Sequence, residues 1–477
     1  MGDESGREAR EPKQYSTKEK RKIYRMHLML IRKIFFFVFF LIAFIGLLLP
    51  LRPTESALEN RTLTEFPQFT VESFLNGDYF SDISTWYADT FPLREKLISA
   101  YASFENHFGL EGEQIVQNTT ATADEIPEDG VMVSADAEEE EEVYADGVID
   151  EAPEQAGNVY VSGDTAFEIY YFSLEGANLY IEMMEKAVDC LDGVATIYDI
   201  LVPTSMGINL TDEAQEEIGA SDQAEAIDYI FSNLNSQVKT VEIFQTLRQH
   251  DEEYLYFRTD HHWTALAAYY AYTEFCEVKG ITATELTEYE TMEFDGFVGS
   301  LYSASNQVQA LKDNPDTVTA YIPLSTNDMF YIESDGDRIE WDVVHDVTNY
   351  DAGEKYATFA AGDQVYAQID NPQLDDGSSC VVIKESYGNA FIPFLVDHYQ
   401  TVYIVDYRYF GDYDEYGGSL YRLVTENDVS DVIFINNAMA MTSKNRIPQM
   451  SALFDVTAED LETSGSDAES SDAQGNE

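Results

Sequence analysis

The chain has 477 residues, of which 44% are hydrophobic and 13% aromatic, so it is long and apolar enough to bury a substantial core. Its formal net charge is −62. Such an excess of acid disfavours nucleic acid as a partner, because binding there depends on Lys and Arg neutralising phosphates.

Positive charge is concentrated near the N-terminus. An uncharged apolar run covers residues 34–51, and a helix of that length, rising about 1.5 Å per residue, comes close to spanning a bilayer core. The run follows a group of basic residues: Lys18, Lys20, Arg21, Lys22, Arg25, Arg32 and Lys33. By the positive-inside rule we predict a single-pass anchor in the cell membrane, with residues 1–33 cytoplasmic and the chain beyond the anchor extracytoplasmic. The alternative is a cleaved signal peptide that ends at Ala57.

Composition divides the rest of the chain. Residues 58–117 have apolar side chains at helical spacing from Tyr79 onward and are predicted to form an N-terminal part of the extracytoplasmic region. Residues 118–157 are acidic and poor in large apolar side chains, which is typical of a disordered linker, and the tail 457–477 is of the same kind. Residues 158–456 are predicted to form the main folded domain.

The three cysteines, Cys190, Cys276 and Cys380, stand far apart in apolar contexts and show no CxxC spacing. An odd number in an exported chain leaves at least one thiol unpaired, so the fold cannot depend on a disulfide framework. A structural zinc site is disfavoured as well. We interpret the cysteines as small buried hydrophobic residues.

Within the main domain, helical and strand patterns alternate. Helices are predicted at 174–190 and 224–236, and strands at 195–203 and 254–257. Later come three Val- and Ile-rich runs, "SSCVVIKES", "TVYIVDYR" and "SDVIFINN", with helical stretches between them. This order predicts an α/β fold with a parallel sheet flanked by helices. Residues 282–373 have fewer helix signals, and we interpret them as an irregular or β-rich insertion.

The stretch "TDHHW" follows the strand predicted at 254–257, where the carboxyl end of a parallel strand is a common place for a site. In an extended chain Asp260 and His262 would lie on one side and His261 on the other, because side chains alternate. A carboxylate beside an imidazole fixes its tautomer and stabilises the imidazolium, as a general base for a serine requires. The alternative is a surface or capping arrangement without chemistry.

A serine stands at another predicted strand end. Ser386 follows the buried run 380–383 and precedes apolar residues at helical spacing from about Gly388. Near a helix N-terminus, free backbone N–H groups can stabilise an oxyanion, although serine there can also be a simple cap. His398 is a rival base, but in a continuous helix it would lie about 18 Å from Ser386.

These residues resemble a known family. "YFRTDHHWT", "IKESYGNAFIPFLVDHYQTVYIVDYRYF" and "DVIFINN" are similar to sequences of the DHHW proteins of bacterial cell envelopes, relatives of the AlgX/AlgJ group of SGNH-hydrolase-like polysaccharide O-acetyltransferases. The resemblance extends over about 59–437. It implies an SGNH-like parallel sheet with a permuted motif order, in which Asp260 is the orienting acid, His262 the base and Ser386 the nucleophile. His261 would be structural.

Further site residues follow from the resemblance and from their places near strand ends. The oxyanion or substrate-binding candidates are Asn437, Asn436, Asn389, Tyr387 and Arg408. For the asparagines the alternative is a turn residue. Arg408 can hold a saccharide or a carboxylate of the serine loop, or it can pair with Asp406. The chain departs from the family pattern at Glu385, where aspartate is expected, and it lacks the glycine of the usual SGNH serine motif.

The resemblance implies a membrane-anchored, extracytoplasmic O-acetyltransferase or acetylesterase that acts on a cell-surface or exported polysaccharide. It also implies a membrane-bound O-acyltransferase as acetyl donor, and it calls for no cofactor and no metal. One alternative is a non-catalytic glycan-binding or scaffold protein of the envelope, since the 32 tyrosines suit stacking on sugar rings as well as a core. Another is a metal phosphoesterase that uses Asp-His-His as ligands, which needs further Asp and His ligands.

Overall fold

The computed structural model describes residues 158–455, apart from 334–335, 414 and 444–445. Before residue 158 it describes only short stretches, namely 26, 29–30, 32–37, 40, 52–53, 55–56, 61–64, 66–70, 73–74, 78–94, 96–97, 114–116, 123–127 and 132. The chain divides into two compact units. One consists of 1–56 and 62–97, and the other of 57–61 and 98–477.

Several predicted segments lie largely outside the described residues. This is true of nearly all of the linker 118–157 and of the whole tail 457–477. Of the predicted anchor at 34–51, only 34–37 and 40 are described, and they are helical. Within the described part of the chain, no helix has the length and apolar character needed to cross a membrane.

The first unit contains the helix Asp78–Asp89, in the region where apolar spacing predicts one. Its Trp86 is buried and packs edge to face with Phe66, with 4.8 Å between the ring centroids. The Arg52 guanidinium lies 3.8 Å from the Trp86 ring centroid. The helix therefore buries one aromatic side chain within a small aromatic cluster.

The strands of the described residues, in chain order, are β1 (Glu55–Ser56), β2 (Arg61–Thr62), β3 (Gln114–Val116), β4 (Val159–Ser162), β5 (Thr165–Glu168), β6 (Thr196–Val202), β7 (Lys239–Thr240), β8 (Glu290–Phe297), β9 (Asp316–Ile322), β10 (Asp328–Ile332), β11 (Arg338–Asp342), β12 (Tyr366–Asp370), β13 (Ser379–Lys384), β14 (Thr401–Asp406) and β15 (Asp431–Asn437). The α-helices of the second unit are Leu174–Leu191, Ser205–Asn209, Asp212–Ile218, Gln223–Asn233, Phe244–Gln249, Ala265–Lys279, Ser300–Ala304, Gln309–Asp313, Ile392–Leu395, Leu420–Glu426 and Arg446–Ala452. Short 3₁₀ turns are Leu286–Glu288, Ala352–Thr358, Ser386–Ala390, Val396–His398, Phe410–Asp412 and Ala440–Thr442.

The second unit is built on a mixed eight-stranded sheet in the order β11-β10-β12-β14-β13-β15-β6-β7. The strands from β14 to β7 pair in parallel, as predicted. The sheet as a whole is mixed where a parallel sheet was predicted, because at the other edge β10 pairs antiparallel with β11 and β12, and β12 pairs antiparallel with β14. A short turn closed by the Glu333 amide and the Asp337 carbonyl joins β10 to β11, and antiparallel neighbours need no helical crossover.

Two hydrophobic layers cover the faces of this sheet. Every residue of β13 is buried, and successive residues alternate between the layers, with Val382 in one and Val381 and Ile383 in the other. The helix Leu174–Leu191 belongs to the layer of Val381, and the helix Ala265–Lys279 to the layer of Val382. Burial on both faces explains why the parallel strands are continuous apolar runs in the sequence.

Residues 282–373 are rich in strands. They contain the antiparallel pair β8–β9, whose register shifts between Asp295 and Phe297. They also contain the antiparallel strands β10 to β12, which extend the central sheet. The segment is therefore an integral part of the domain. The cysteines are free; Cys276 and Cys380 are buried and Cys190 is half-buried.

Candidate active site

Ser386, His262 and Asp260 form a hydrogen-bonded chain. The Nε2 atom of His262 lies 2.7 Å from Ser386 Oγ, and its Nδ1 atom lies 2.6 Å from Asp260 Oδ1. The three residues are 6%, 8% and 4% exposed, respectively. Because opposite nitrogens of one imidazole face a hydroxyl and a carboxylate, the ring can take the serine proton while the carboxylate stabilises the imidazolium. The fold thus brings together residues that are 124 positions apart.

Residues 254–264, which we call the histidine loop, double back on themselves. Tyr256 and Trp263 form a single antiparallel bridge, and the Phe257 amide donates to the His262 carbonyl at 3.3 Å. The prediction of a strand at 254–257 is wrong, because this segment pairs with its own loop and with no strand in the described part of the chain. A tight turn then replaces the expected extended strand end.

Asp316, at the start of β9, holds the histidine loop through hydrogen bonds. Its carboxylate is buried and accepts hydrogen bonds from the Thr259 amide at 2.8 Å and the Thr259 hydroxyl at 2.6 Å. It also accepts from the Arg258 amide and Nε, each at 3.2 Å, and from the Tyr254 hydroxyl. Sequence analysis missed this residue, because no local pattern links Asp316 to a loop more than fifty residues earlier.

Gly299 and Ser300 enclose the other side of Asp260. The Ser300 amide donates to Asp260 Oδ2 at 2.8 Å, and a Cβ atom on Gly299 would lie only 2.1 Å from that oxygen. Burial alone raises the pKa of Asp260, but the charges of His262 and His261 and the hydrogen bonds outweigh it, so the pKa lies well below its usual value. The carboxylate is therefore ionised at neutral pH.

His261 lies beside His262, with 3.8 Å between the ring centroids. The prediction that the two rings lie on opposite sides is wrong, since alternation holds only for an extended chain. His261 Nδ1 is 2.6 Å from Ser300 Oγ and 3.9 Å from Asp260 Oδ1. These contacts fit a structural role, in which His261 holds the segment that encloses Asp260.

Ser386 is the first residue of the 3₁₀ turn Ser386–Ala390, and Glu385 is its N-cap. Glu385 Oε2 accepts a hydrogen bond from the Tyr387 amide at 3.1 Å and lies 3.2 Å from Ser386 Oγ, while Oε1 accepts from the Asn437 amide at 2.9 Å. The alternative in which Ser386 serves only as a cap is wrong, because Glu385 supplies the cap. A buried carboxylate thus lies next to the serine hydroxyl.

Two contacts join the serine turn to the histidine loop. Trp263 Nε1 donates to the Tyr387 carbonyl at 2.9 Å, and the Tyr387 hydroxyl donates to the His261 carbonyl. Tyr387 is fully buried. Although it was expected among the oxyanion or substrate-binding residues, its side chain packs between the two segments.

The three predicted oxyanion asparagines have different surroundings. The Asn437 side-chain oxygen accepts from the amides of Met439 and Ala440 at 2.7 and 3.1 Å, which is the turn role that was the alternative. Asn389 Nδ2 donates to Asp363 at 3.0 Å. Asn436 lies on the same face of β15 as Val432 and Phe434, which belong to one hydrophobic layer, whereas Tyr387 belongs to the layer on the other face. The Asn436 side chain therefore points away from the serine turn.

Arg408 belongs to an ion network that also includes Asp406, Asp363 and Lys384. It pairs with Asp406 through Nε at 2.9 Å and Nη2 at 2.7 Å, and with Asp363 at 2.9 Å. Lys384, fully buried at the end of β13, also reaches Asp363 and Asp406, at 3.1 and 3.2 Å. These contacts favour the structural alternative for Arg408, since the bidentate pair occupies its guanidinium.

The metal alternative requires the ligand atoms of Asp260, His261 and His262, which lie within 4.8 Å of one another. Each of these side chains is already hydrogen-bonded: His262 to Ser386 and Asp260, and His261 to Ser300. A cation bound there would have to replace the bonds that connect the serine to its base. We therefore derive no step through a metal.

The rival base, His398, contacts a different residue. The predicted helix from Gly388 is not continuous, because the turn Ser386–Ala390 is followed by the separate segments Ile392–Leu395 and Val396–His398. His398 Nε2 is hydrogen-bonded to the Tyr272 hydroxyl. His262 is the histidine that meets Ser386.

Two solved structures have a similar fold, and a third match has a lower TM-score. A crystal structure of a DHHW family protein from Eubacterium siraeum is 28% identical, with 64% of this chain and 97% of that chain covered and a TM-score of 0.54. The structure of Bacillus cereus PatB1 with a sulfonyl adduct is 16% identical, with 61% and 96% covered and a TM-score of 0.50. The O-acetyltransferase domain of Pseudomonas putida AlgJ is 13% identical, with 60% and 96% covered and a TM-score of 0.29. No curated protein matches the chain.

The sequence pattern of the family described as DHHW protein matches residues 59–155 and 147–405. These matches include the histidine loop and the serine turn. They confirm the family resemblance stated from the sequence. The chain belongs to the DHHW protein family.

Proposed function

We propose that this protein is a serine acyl-transfer enzyme that moves acetyl groups on a cell-surface or exported polysaccharide. The observation that carries the proposal is the chain of contacts from Ser386 Oγ to His262 at 2.7 Å and from His262 to Asp260 at 2.6 Å. The acetyl group and the polysaccharide come from the resemblance to the AlgX/AlgJ group. Family membership supports the same reading.

In the proposed reaction, Ser386 Oγ attacks the carbonyl carbon of an acetyl ester while His262 Nε2 takes its proton. The tetrahedral intermediate collapses, the ester bond to the donor alcohol breaks, and His262 returns the proton to that alcohol. A sugar hydroxyl, or water in hydrolysis, then attacks the acetyl-serine carbonyl carbon and loses its proton to His262. The bond between Ser386 Oγ and the acetyl group breaks, His262 returns the proton to Ser386 Oγ, and the acetylated sugar or acetic acid leaves. Asp260 stabilises the imidazolium in both halves and stays ionised throughout.

The surroundings of the reaction belong to the proposal as well. The basic segment 1–33 and the apolar run 34–51 support a cell-membrane anchor with the site outside the cytoplasm. The acetyl donor would be a membrane-bound O-acyltransferase, as the family resemblance implies. The acceptor would be a glycan at the outer face of the membrane.

The test uses the full chain in detergent with 4-nitrophenyl acetate, and a sulfonyl fluoride as a covalent probe of a nucleophilic serine. We expect ester cleavage and one sulfonyl adduct on the Ser386 peptide, both abolished in Ser386→Ala and His262→Ala. His250→Ala is the control and should react like the parent protein, because His250 bonds to Glu253 and stacks on Tyr270 instead of contacting Ser386.

Addition of an oligosaccharide acceptor separates transfer from hydrolysis, because transfer adds an acetyl mass to the sugar. Absence of both cleavage and adduct in a folded parent protein would contradict the proposal. It would favour the alternative of a glycan-binding scaffold, in which the serine does no chemistry.

A further inference from the structure

Tyr356 contacts two members of the Ser386–His262–Asp260 chain at once. Its ring stacks on the His262 imidazole, with 3.9 Å between the centroids and 12° between the planes. Its hydroxyl donates to the Ser386 carbonyl at 3.2 Å. The side chain is buried, so solvent does not compete for either contact. No sequence pattern marked this residue.

The segment that carries Tyr356 is itself firmly held. Tyr356 lies in the 3₁₀ turn Ala352–Thr358, which begins with a reciprocal capping box between Asp351 and Glu354. The buried Lys355 ammonium donates to the carbonyls of Val347 and Thr348, at 2.8 Å each. A ring placed by these contacts can fix the orientation of whatever stacks on it.

We infer that Tyr356 is a positioning residue, whose ring holds and stabilises the His262 imidazolium while its hydroxyl holds the serine turn. This inference rests on the proposed function, because the imidazolium takes part in the reaction only when His262 is the base for Ser386. The electron-rich face of an aromatic ring attracts a cation placed over it. The stack therefore gains strength in the charged state of His262, and so in the transition state for proton transfer.

Other charged or titratable groups also surround these rings. Asp260 and His261 approach His262 from its own loop. From the serine turn, the Tyr387 ring lies 5.3 Å from the His262 ring and the Glu385 carboxylate lies beside Ser386 Oγ. Burial raises the pKa of the Tyr356 hydroxyl well above its usual value, and the charges of Glu385, Asp260 and Asp363 raise it further, so the hydroxyl stays protonated as a donor. All of these groups remain in place when only Tyr356 is changed.

Different variants remove the hydroxyl contact and the ring contact of Tyr356 one at a time. Tyr356→Phe keeps the stack and removes the bond to the Ser386 carbonyl. Tyr356→Leu and Tyr356→Met keep an apolar cover over His262 but remove the aromatic face. The readout is the rate of Ser386 labelling by phenylmethanesulfonyl fluoride as a function of pH, since the midpoint of this profile reports the base in the free enzyme.

For Tyr356→Phe we expect an unchanged midpoint and a labelling rate reduced by less than about tenfold, the usual range for one lost hydrogen bond. For Tyr356→Leu and Tyr356→Met the imidazolium loses its stabilising face, so its pKa falls. The midpoint should move to lower pH by about half a unit or more. The maximal rate should fall further than in Tyr356→Phe.

Tyr289→Leu is the matched control. Tyr289 is a buried tyrosine of the same hydrophobic layer and packs on Phe394 and Tyr321. Thermal unfolding shows which variants are folded, and either the Leu or the Met variant is sufficient. Midpoints at the parental value in a folded Leu or Met variant would overturn the inference alone. A parent protein that labels no faster than Ser386→Ala would overturn the proposed function instead.

Discussion

The two carboxylate oxygens of Asp260 contact two different segments of the chain. Oδ1 faces the His262 ring at 2.6 Å, and Oδ2 faces the Ser300 amide at 2.8 Å. Burial raises the pKa of Asp260, yet the two neighbouring histidines and the hydrogen bonds bring it well below the usual value. An ionised Asp260 keeps the proton of neutral His262 on Nδ1, so Nε2 is free to accept from Ser386.

Replacing Asp260 by Asn should remove this control. An amide NH₂ facing His262 Nδ1 favours the tautomer with its proton on Nε2, which cannot act as a base toward Ser386. We expect Asp260→Asn to slow sulfonyl labelling of Ser386 on the order of a thousandfold or more. The exposed Asp251→Asn serves as control. A loss of less than tenfold in a folded Asp260→Asn protein would contradict the assignment of Asp260.

Asp199 is the other buried carboxyl with a clear pH signature. It lies in β6, fully buried, and accepts a hydrogen bond from the Tyr180 hydroxyl at 2.7 Å. Burial raises its pKa to about 7, although the Tyr180 bond opposes the shift. In the folded protein Asp199 therefore keeps its proton to a much higher pH than in the unfolded chain.

This shift predicts the sign of a stability change. The folded state binds the extra proton, so the contribution of Asp199 is fully present below pH 3.8, its ordinary value, and is lost as the pH rises through about 7. Asp199→Asn should remove up to about 1.4 kcal/mol per pH unit of this dependence. Its free energy of unfolding, measured in denaturant, should thus exceed the parental value more at pH 8 than at pH 5. Parallel curves for Asp199→Asn and the exposed Asp192→Asn would refute the shift.

At the scale of elements, the segment 282–373 supplies much of the support for the site. Its Ser300 amide bonds to Asp260, its Asp316 braces the histidine loop, and its Tyr356 stacks on His262. The segment that was interpreted from sequence as an insertion therefore contacts and positions both Asp260 and His262. Its contacts with the histidine loop are tertiary, so no local periodicity reveals them.

Gly299 packs so closely against Asp260 that replacing it by alanine should lower the activity of Ser386. A methyl group there would overlap Asp260, with 2.1 Å to Oδ2 and 2.4 Å to Cβ. Gly299→Ala should push Asp260 away from His262 and reduce the labelling rate of Ser386 by at least about a hundredfold, since a displacement of about 1 Å in a site has that order of cost. Gly411→Ala meets no atom within 4 Å and should behave like the parent protein. Equal rates for the two variants would show that Asp260 tolerates the displacement.

Prediction from sequence succeeded where an element is defined by its own residues. The helix at 174–190 and the strand at 195–203 match Leu174–Leu191 and Thr196–Val202 within one residue at each end. It failed at 254–257, where apolar composition suggested a strand but hydrogen bonds within the loop, and those that the loop donates to Asp316, impose a turn. It also failed for the helix after Gly388, which is broken into short pieces.

At the scale of the whole molecule, the segments 1–33 and 34–51 predict where the protein resides. We expect the full chain to sediment with the membrane fraction and to resist extraction by high salt and by carbonate, because a spanning helix is held by apolar burial and not by charge. A chain that begins at residue 58 should be extracted, and it is the control. If the intact mass of the mature protein corresponds to a chain that starts after Ala57, the segment is a cleaved signal peptide and not an anchor.

The sequence by itself determined the family, the α/β class and the pairing of "TDHHW" with a distant serine, because these depend on local composition and on residue identity. The tertiary structure alone decided that three strands at one edge of the sheet pair antiparallel with their neighbours, that Glu385 caps the serine turn and that Arg408 is held by Asp406 and Asp363. It alone revealed Tyr356, Asp316 and Gly299 around the histidine loop. These features arise from contacts between residues far apart in the chain, and local propensity carries no information about which distant partner a side chain will meet.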